Sequence, residues 1–244
     1  MISIVIPFYN EEDNIDMYEE RLFPVVDEIS KRYNEEFNYI FIDDGSVDNT
    51  LVKLNEIAES NSSVKVIPHV KNKGLGAALK TGTDAADGDF VVLLDSDLTY
   101  RPKDITILFD AMKQCSDCDC ISGSPYMKGD LTKDVSFIRL LPSKIVNLLY
   151  RLILGEKISC FSGMFRLYRR DVFDRISIES TDYQVCAEIL AKMILAGMKI
   201  VEVPVELHTR EFGESKLDVK KETINNIKLL YRIFCVKYFN KSWS

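Results

Sequence analysis

The first 125 residues alternate between short apolar stretches and longer amphipathic ones. The apolar stretches are rich in β-branched residues and fall at residues 2–7, 39–43, 64–69, 90–95 and 120–124. Helical periodicity fills the intervals near residues 12–32, 48–60, 75–86 and 103–115. Strands that are apolar throughout are buried on both faces, which is typical of a parallel sheet between helices. The pattern predicts an α/β fold with a mostly parallel central sheet.

The spacing of apolar and polar residues is different in the second half of the chain. Residues 137–154 have apolar positions at helical spacing with Arg139, Lys144 and Arg151 between them. This helix either packs on the core or lies along a membrane surface. Further strands are expected at residues 161–168 and 200–208, with helices near 184–196 and 219–239. We treat residues 1–244 as one domain, with a ligand-binding half (1–125) and a second half (126–244).

Polar loops follow each of the first four predicted strands. They lie at residues 7–12, 43–46, 72–76 and 95–97. Because the carboxyl ends of parallel strands meet at one edge of a sheet, and ligands bind there, these loops are expected to form one site.

Asp95 and Asp97 are separated by one residue directly after an apolar strand. Such a pair in isolation is more typical of a solvated turn. Its position beside three other polar loops favours a shared divalent metal, and oxygen-only ligands favour Mg²⁺ or Mn²⁺.

Two other loops have competing interpretations. A turn and a helix cap explain Ser46 and Asp48, but not the adjacent carboxylates of Asp43 and Asp44, so Asp44 is predicted to accept hydrogen bonds from a base or ribose. The glycine-rich stretch at residues 72–78 lacks the ending of a phosphate-binding P-loop, and it fits ligand approach and tight packing equally well.

A late loop at residues 210–217 contains the cations Arg210 and Lys216 and the flexible Gly213. It is either a solvated charged loop or a lid over an anionic substrate, because Arg binds phosphate through paired hydrogen bonds and Lys adds a point charge.

Charge and composition narrow the partners. The net charge of −7 argues against nucleic acid as a main partner. Residues 133–170 nevertheless contain eight basic and two acidic residues, which predicts a local anionic partner.

Cysteine and histidine suggest no further chemistry. Cys115, Cys118 and Cys120 lack a second Cys or His pair at zinc-finger spacing and are expected to be reduced thiols. His69 and His208 are expected to be structural. No apolar run reaches the roughly 18–20 residues that span a bilayer, and the N-terminus is expected to be a strand rather than a signal peptide.

In this order the loops resemble family 2 glycosyltransferases with the A-type fold, and most of all the dolichyl- and polyprenyl-phosphate mannosyltransferase group. The resemblance extends from Ile2 to Leu217. The matching stretches are residues 6–11, 43–46, 72–77, 95–98, 165–170, 202–204 and 210–217.

The resemblance implies a role for particular residues. The positions that match nucleoside contacts are Pro7, Tyr9, Glu11, Ile42 and Asp44. Asp95 and Asp97 match the metal ligands and Ser96 a main-chain contact to the donor. Arg210, Ser215 and Lys216 match positions that close on the donor and acceptor phosphates, so Asp97, Arg210 and Lys216 are the expected catalytic residues. Glu188 matches a family acid without a firm role.

Three positions depart from the family pattern. Thr99 stands where the family often has Gln, Pro125 where it has an Arg, and Cys160 where it has an Asp. The departures weaken an assignment of GDP-mannose as donor and leave a UDP-sugar open.

The expected reaction is inverting transfer of a hexose from a GDP- or UDP-sugar to a polyprenyl phosphate, with Mg²⁺ or Mn²⁺. The protein is expected in the cytoplasm, at the membrane face, through its own helix or a partner membrane protein. Two alternatives are a transferase with a hydroxyl acceptor, which needs a carboxylate base, and a non-catalytic nucleotide-sugar-binding subunit.

Overall fold

A computed structural model describes residues 1–127, 137–212 and 218–243, with side chains from residue 143 onward in the helix that begins at Phe137. Its centre is a seven-stranded sheet in the order β3-β2-β1-β4-β6-β5-β7. The strands are β1 (Ile2–Phe8), β2 (Phe37–Asp43), β3 (Val64–Pro68), β4 (Phe90–Leu93), β5 (Cys120–Ser124), β6 (Arg166–Arg169) and β7 (Ile200–Pro204).

The sheet is parallel except at one strand. β1 pairs in parallel with both β2 and β4, β2 with β3, and β5 with β7. Only β6 runs antiparallel, between β4 and β5. The predicted α/β fold with a mostly parallel sheet is therefore confirmed.

Helices cover the sheet. They are α1 (Glu12–Ile15), α2 (Tyr18–Arg21), α3 (Phe23–Tyr33), α4 (Thr50–Ser60), α5 (Leu75–Ala85), α6 (Ile105–Gln114), α7 (Phe137–Leu154), α8 (Val172–Arg175), α9 (Val185–Leu195) and α10 (Val219–Phe239). The helical pattern predicted near residues 12–32 forms three helices. α1 and α2 are separated by residues 16–17 and α2 and α3 by Leu22, and Pro24 lies in the first turn of α3.

Successive side chains of the strands pack into two hydrophobic cores, one on each face of the sheet. Val5 and Ile42 lie in the core that also contains residues of α5 and α9. Ile4 and Phe41 point to the opposite face and join residues of α3 and α6. The predicted strand at residues 161–168 is shorter than expected, since β6 begins only at Arg166.

Arg166 explains why the chain remains irregular before β6. Its fully buried guanidinium donates to the carbonyls of Cys160 (3.2 Å), Phe161 (2.8 Å) and Cys186 (2.8 Å) and to the Ser122 hydroxyl (3.1 Å). A buried charge is tolerated only when it is fully hydrogen-bonded. Arg166 therefore fastens the loop before β6 to the start of α9.

Two expectations from the sequence are corrected. Cys115 and Cys118 form a disulfide rather than free thiols, because the turn after α6 brings their Cα atoms to 5.4 Å. The basic stretch does not form one surface: Arg166 is buried, Arg169 donates to carbonyls at residues 116 and 118, and Arg170 pairs with Asp174. Lys133 lies outside the described residues.

Helix α7 combines features of both interpretations. Tyr150 is fully buried and its hydroxyl donates to Asn226 of α10 at 2.8 Å. The other face of α7 is solvent-exposed and apolar, with Ile145, Leu148, Leu149 and Leu152. In the described part of the chain, no helix is both long and apolar enough to cross a membrane.

Candidate active site

The loops after β1, β2 and β4 enclose a cavity of about 250 Å³. Its walls contain seven of the residues predicted for the site: Pro7, Tyr9, Glu11, Asp44, Asp95, Ser96 and Arg210. We call this space the charged cavity. The expected convergence of loops from separate strands is therefore observed.

Four other predicted residues are not among the described walls of this cavity. Asp97 lies beside it, where its carboxylate contacts the wall residue Arg210. The side chain of Ile42 lies in the core against α5, because successive side chains of β2 point to opposite faces and that of Ile42 points away from the cavity. Ser215 and Lys216 lie outside the described residues.

Asp44 is held firmly from three directions. Its carboxylate accepts hydrogen bonds from His69 Nδ1 (2.6 Å) and from the backbone amides of Lys73 (3.0 Å) and Gly74 (2.8 Å). His69 is itself buried, with Nε2 2.9 Å from the Thr81 hydroxyl. His69 thus has a supporting role as expected, and the support is directed to a site residue.

The glycine-rich turn serves packing and positioning together. Gly74 has a φ of +94°, and a Cβ at Gly76 would lie 1.9 Å from the carbonyl oxygen of Ser180. The amide of Gly76 donates to the Thr181 carbonyl at 2.7 Å. Only glycine permits this approach, and the approach places the Gly74 amide against Asp44.

Glu188 acts at a distance from the cavity. It is buried in α9, forms an ion pair with Lys192 (2.7 Å) and accepts the amides of Glu179 (3.1 Å) and Ser180 (2.7 Å). It therefore fixes the segment that packs on the glycine-rich turn and is a positioning residue.

Carboxylates cluster after β4. Arg210 Nε donates to Asp97 Oδ2 at 2.8 Å, and its Nη1 lies 3.4 Å from Glu11 Oε1. The other oxygen of Asp97 accepts the Thr99 amide (3.1 Å) and hydroxyl (2.9 Å). Thr99, the first departure from the family pattern, thus supports the second Asp of the pair.

The cluster carries too little positive charge for its carboxylates. Burial, the Asp97 carboxylate and Glu11 raise the pKa of Asp95 to about 7, against the opposing effect of Arg210. Grouped carboxylate oxygens with excess negative charge fit a hard divalent cation. Asp95 and Asp97 therefore offer the oxygen-only ligand type that Mg²⁺ and Mn²⁺ prefer.

No sequence motif singled out the part of the cavity wall that precedes α9 and begins α10. Residues of the α9 approach and the start of α10 line it: Asp182, Tyr183, Asp218, Lys221 and Glu222. Lys221 pairs with Asp182 at 2.8 Å. Asp218 caps α10 by accepting the amides of Lys220 and Lys221. The cap was the one feature that a sequence search for helix starts could have found.

The family model described as Glycosyl transferase family 2 matches residues 3–177. The chain belongs to this family. It is a glycosyltransferase with the A-type fold.

Curated relatives of the glycosyltransferase carry related names. The Pyrococcus furiosus protein named dolichol-phosphate mannosyltransferase is 36% identical over 95% of this chain and 63% of its own length. The Mycolicibacterium smegmatis polyprenol monophosphomannose synthase is 29% identical over 88% of this chain and 80% of its own. The Proteus mirabilis undecaprenyl-phosphate 4-deoxy-4-formamido-L-arabinose transferase is 30% identical over 90% of this chain and 64% of its own length. The chain thus spans less than two thirds of the length of the Pyrococcus and Proteus proteins.

Solved structures confirm the fold alone. The glucosyl-3-phosphoglycerate synthase of Mycobacterium tuberculosis, in complex with Mn²⁺, UDP-glucose and phosphoglyceric acid, has a TM-score of 0.68 at 20% identity, covering 96% of this chain and 78% of its own. The same synthase with Mg²⁺ and UDP also has a TM-score of 0.68, at 21% identity over the same shares.

Proposed function

We propose that the glycosyltransferase moves a hexose from a GDP- or UDP-sugar to a polyprenyl phosphate, with inversion, using Mg²⁺ or Mn²⁺. The observation that carries the proposal is the meeting of Glu11, Asp95, Asp97 and Arg210 beside a cavity that also contains Asp44. The three relatives above, all named for transfer onto a polyprenyl or dolichyl phosphate, support the acceptor class.

The donor occupies the charged cavity. Pro7, Tyr9, Glu11 and Asp44 bind the nucleoside, with Asp44 accepting a hydrogen bond from base or ribose through its remaining lone pair. Asp95 and Asp97 would hold a divalent ion, which would supply positive charge to the diphosphate leaving group. Ser96, between the two ligands, contacts the donor through its main chain, and the Tyr18 hydroxyl fixes that backbone by donating to the Ser96 carbonyl at 3.0 Å.

The acceptor needs positioning more than activation. Its phosphate is an anion at neutral pH, so an oxygen attacks the anomeric carbon without losing a proton. A new carbon–oxygen bond forms as the bond from that carbon to the diphosphate breaks, and the electron pair leaves with the nucleoside diphosphate. Arg210 offsets repulsion between the two phosphates. Lys216 and Ser215 are assigned the same task by resemblance alone.

The outer surface of the second half suits a membrane. Besides the exposed face of α7, helix α10 exposes apolar side chains at helical spacing: Ile224, Ile227, Tyr231, Phe234 and Tyr238. Apolar faces on two packed helices are typical of a binding surface, and an interfacial location lets them enter the headgroup region. We propose peripheral binding at the cytoplasmic membrane face.

A donor panel tests the reaction. The purified protein is incubated with GDP-mannose, UDP-glucose and related radiolabelled donors, Mg²⁺ or Mn²⁺, and a short polyprenyl phosphate. We expect nucleoside diphosphate release and acid-labile label in the organic phase with one donor. Release without lipid label would reassign the acceptor to a hydroxyl compound or water. No release with any donor would contradict the proposed reaction and favour a binding subunit.

A further inference from the structure

A second cavity of about 430 Å³ adjoins the charged cavity. The two share the walls formed by Leu75, Asp95, Met164, Tyr183 and Glu222. The second cavity is otherwise enclosed by the segment after β5, by α7, by the loop before β6 and by the first turns of α9 and α10. We call it the neutral cavity.

The described walls of the neutral cavity contain no Lys or Arg. Their charged members, Asp95 and Glu222, lie on the boundary with the charged cavity. The remaining polar groups are hydroxyls and amides, among them Thr99, Ser162, Gln184 and Thr223. A phosphate bound here would find no cationic partner among the described wall residues, whereas an uncharged ligand with many hydroxyls matches their polar groups.

Gln184 gives an independent sign of a missing ligand. It is the N-cap residue of α9 and lines the neutral cavity, yet its Oε1 is buried without a hydrogen-bond donor. Buried polar atoms in native proteins are normally paired, so an unpaired one at a cavity wall points to a ligand group. An amide can satisfy a hydroxyl as acceptor or donor.

Two departures from the family pattern fall on the same walls. Thr99 replaces a longer amide, and Cys160 replaces a carboxylate. Cys160 is buried, and its amide donates to Glu202 at 3.0 Å. The differences between this chain and the family pattern therefore include the lining of one space.

We propose that the neutral cavity binds the hexose ring of the donor and that Gln184 is a specificity-determining residue for its hydroxyls. This rests on the proposed function, because a diphosphate at Asp95 and Asp97 leaves its sugar beside the shared wall.

The test compares binding of a nucleoside diphosphate with binding of the corresponding nucleotide sugar. Calorimetry with Mn²⁺ uses UDP against UDP-glucose and GDP against GDP-mannose, on wild type, Gln184→Leu and Gln184→Glu. Gln114→Leu, at the exposed end of α6, is the matched control. Thr223→Val, on the opposite wall, keeps the test decisive if Gln184→Leu does not fold.

We expect Gln184→Leu to lower the affinity for the nucleotide sugar about fivefold and to leave the affinity for the nucleoside diphosphate unchanged. The difference in affinity between gluco and manno donors should also become smaller. Gln184→Glu, which keeps an acceptor oxygen, should retain more sugar affinity. An equal effect on both ligands, or none, overturns the assignment of the hexose. A raised KM for polyprenyl phosphate with unchanged donor binding overturns it in favour of the acceptor. If no nucleoside diphosphate binds to the wild-type protein, the proposed function itself is wrong.

Discussion

The two cavities meet at Asp95 but are built in different ways. The charged cavity has walls from the ends of β1, β2 and β4, and its key carboxylates are held by backbone amides, His69 and Arg210. The neutral cavity is assembled from segments distant in sequence, and it is lined by hydroxyls, amides and apolar groups. In the proposed function, a rigid edge of the sheet carries the chemistry of transfer, while loops and helices carry the selection of the sugar.

The largest effect is expected on the charged side. Asp97→Ala removes the proposed metal ligand and the partner of Arg210, so turnover should fall by more than about 10³-fold. Nucleoside diphosphate release measures this, with circular dichroism as the check on folding. Asp13→Ala, at an exposed position of α1, should keep normal activity. An active Asp97→Ala protein would refute the metal role.

The loop before β6, which lines the neutral cavity, should depend on Arg166 for its stability. Arg166→Met leaves the carbonyls of Cys160, Phe161 and Cys186 without their donor, so the free energy of unfolding should fall by about 2–4 kcal/mol. Urea denaturation measures it, with exposed Arg32→Met as control. Where the variant folds, nucleotide-sugar affinity should fall more than nucleoside diphosphate affinity. Unchanged stability would mean that the loop before β6 does not depend on this guanidinium.

The outer surface provides a third contrast. Leu148→Ser with Leu152→Ser makes the exposed face of α7 polar, so binding to anionic lipid vesicles should weaken about tenfold. Vesicle sedimentation measures the loss, and UDP or GDP binding should be unaffected. Val52→Ser, equally exposed but on α4, is the control. Equal vesicle binding by wild type and the double variant would remove this helix from the membrane contact.

The smallest effect concerns the cation that already lies among the carboxylates. Arg210→Ala removes one positive charge from beside Asp97 and Glu11, so Mn²⁺ affinity without nucleotide should rise by about fivefold while turnover falls. Electron paramagnetic resonance of free Mn²⁺ reports the affinity. Weaker metal binding in this variant would show that Arg210 organises the metal site instead of competing with it.

The charged cavity was predictable because its residues follow strands of a parallel sheet. Strand ends locate Asp44, Asp95 and Asp97 at one edge once the helices between them are recognised. The prediction for Ile42 fails for its side chain because the two-residue alternation of β2 turns that group into the core.

The neutral cavity could not be predicted in this way. Thr99, Cys160, Gln184 and Thr223 come from four separate segments, and only tertiary packing brings them together. The placement of the basic stretch was unpredictable for a related reason. Arg166 looks like a surface charge in the sequence, but its guanidinium donates hydrogen bonds to buried carbonyls. Charge patterning identifies a cation without identifying its partner.

The most direct test of the central claim is a crystal structure with Mn²⁺ and the nucleotide sugar that the enzyme accepts, with the metal located by anomalous scattering. The anomalous peak should lie within about 2.5 Å of carboxylate oxygens of Asp95 or Asp97, with the nucleoside against Asp44 and the hexose beside Gln184. A metal or nucleotide bound away from this edge of the sheet would contradict the account.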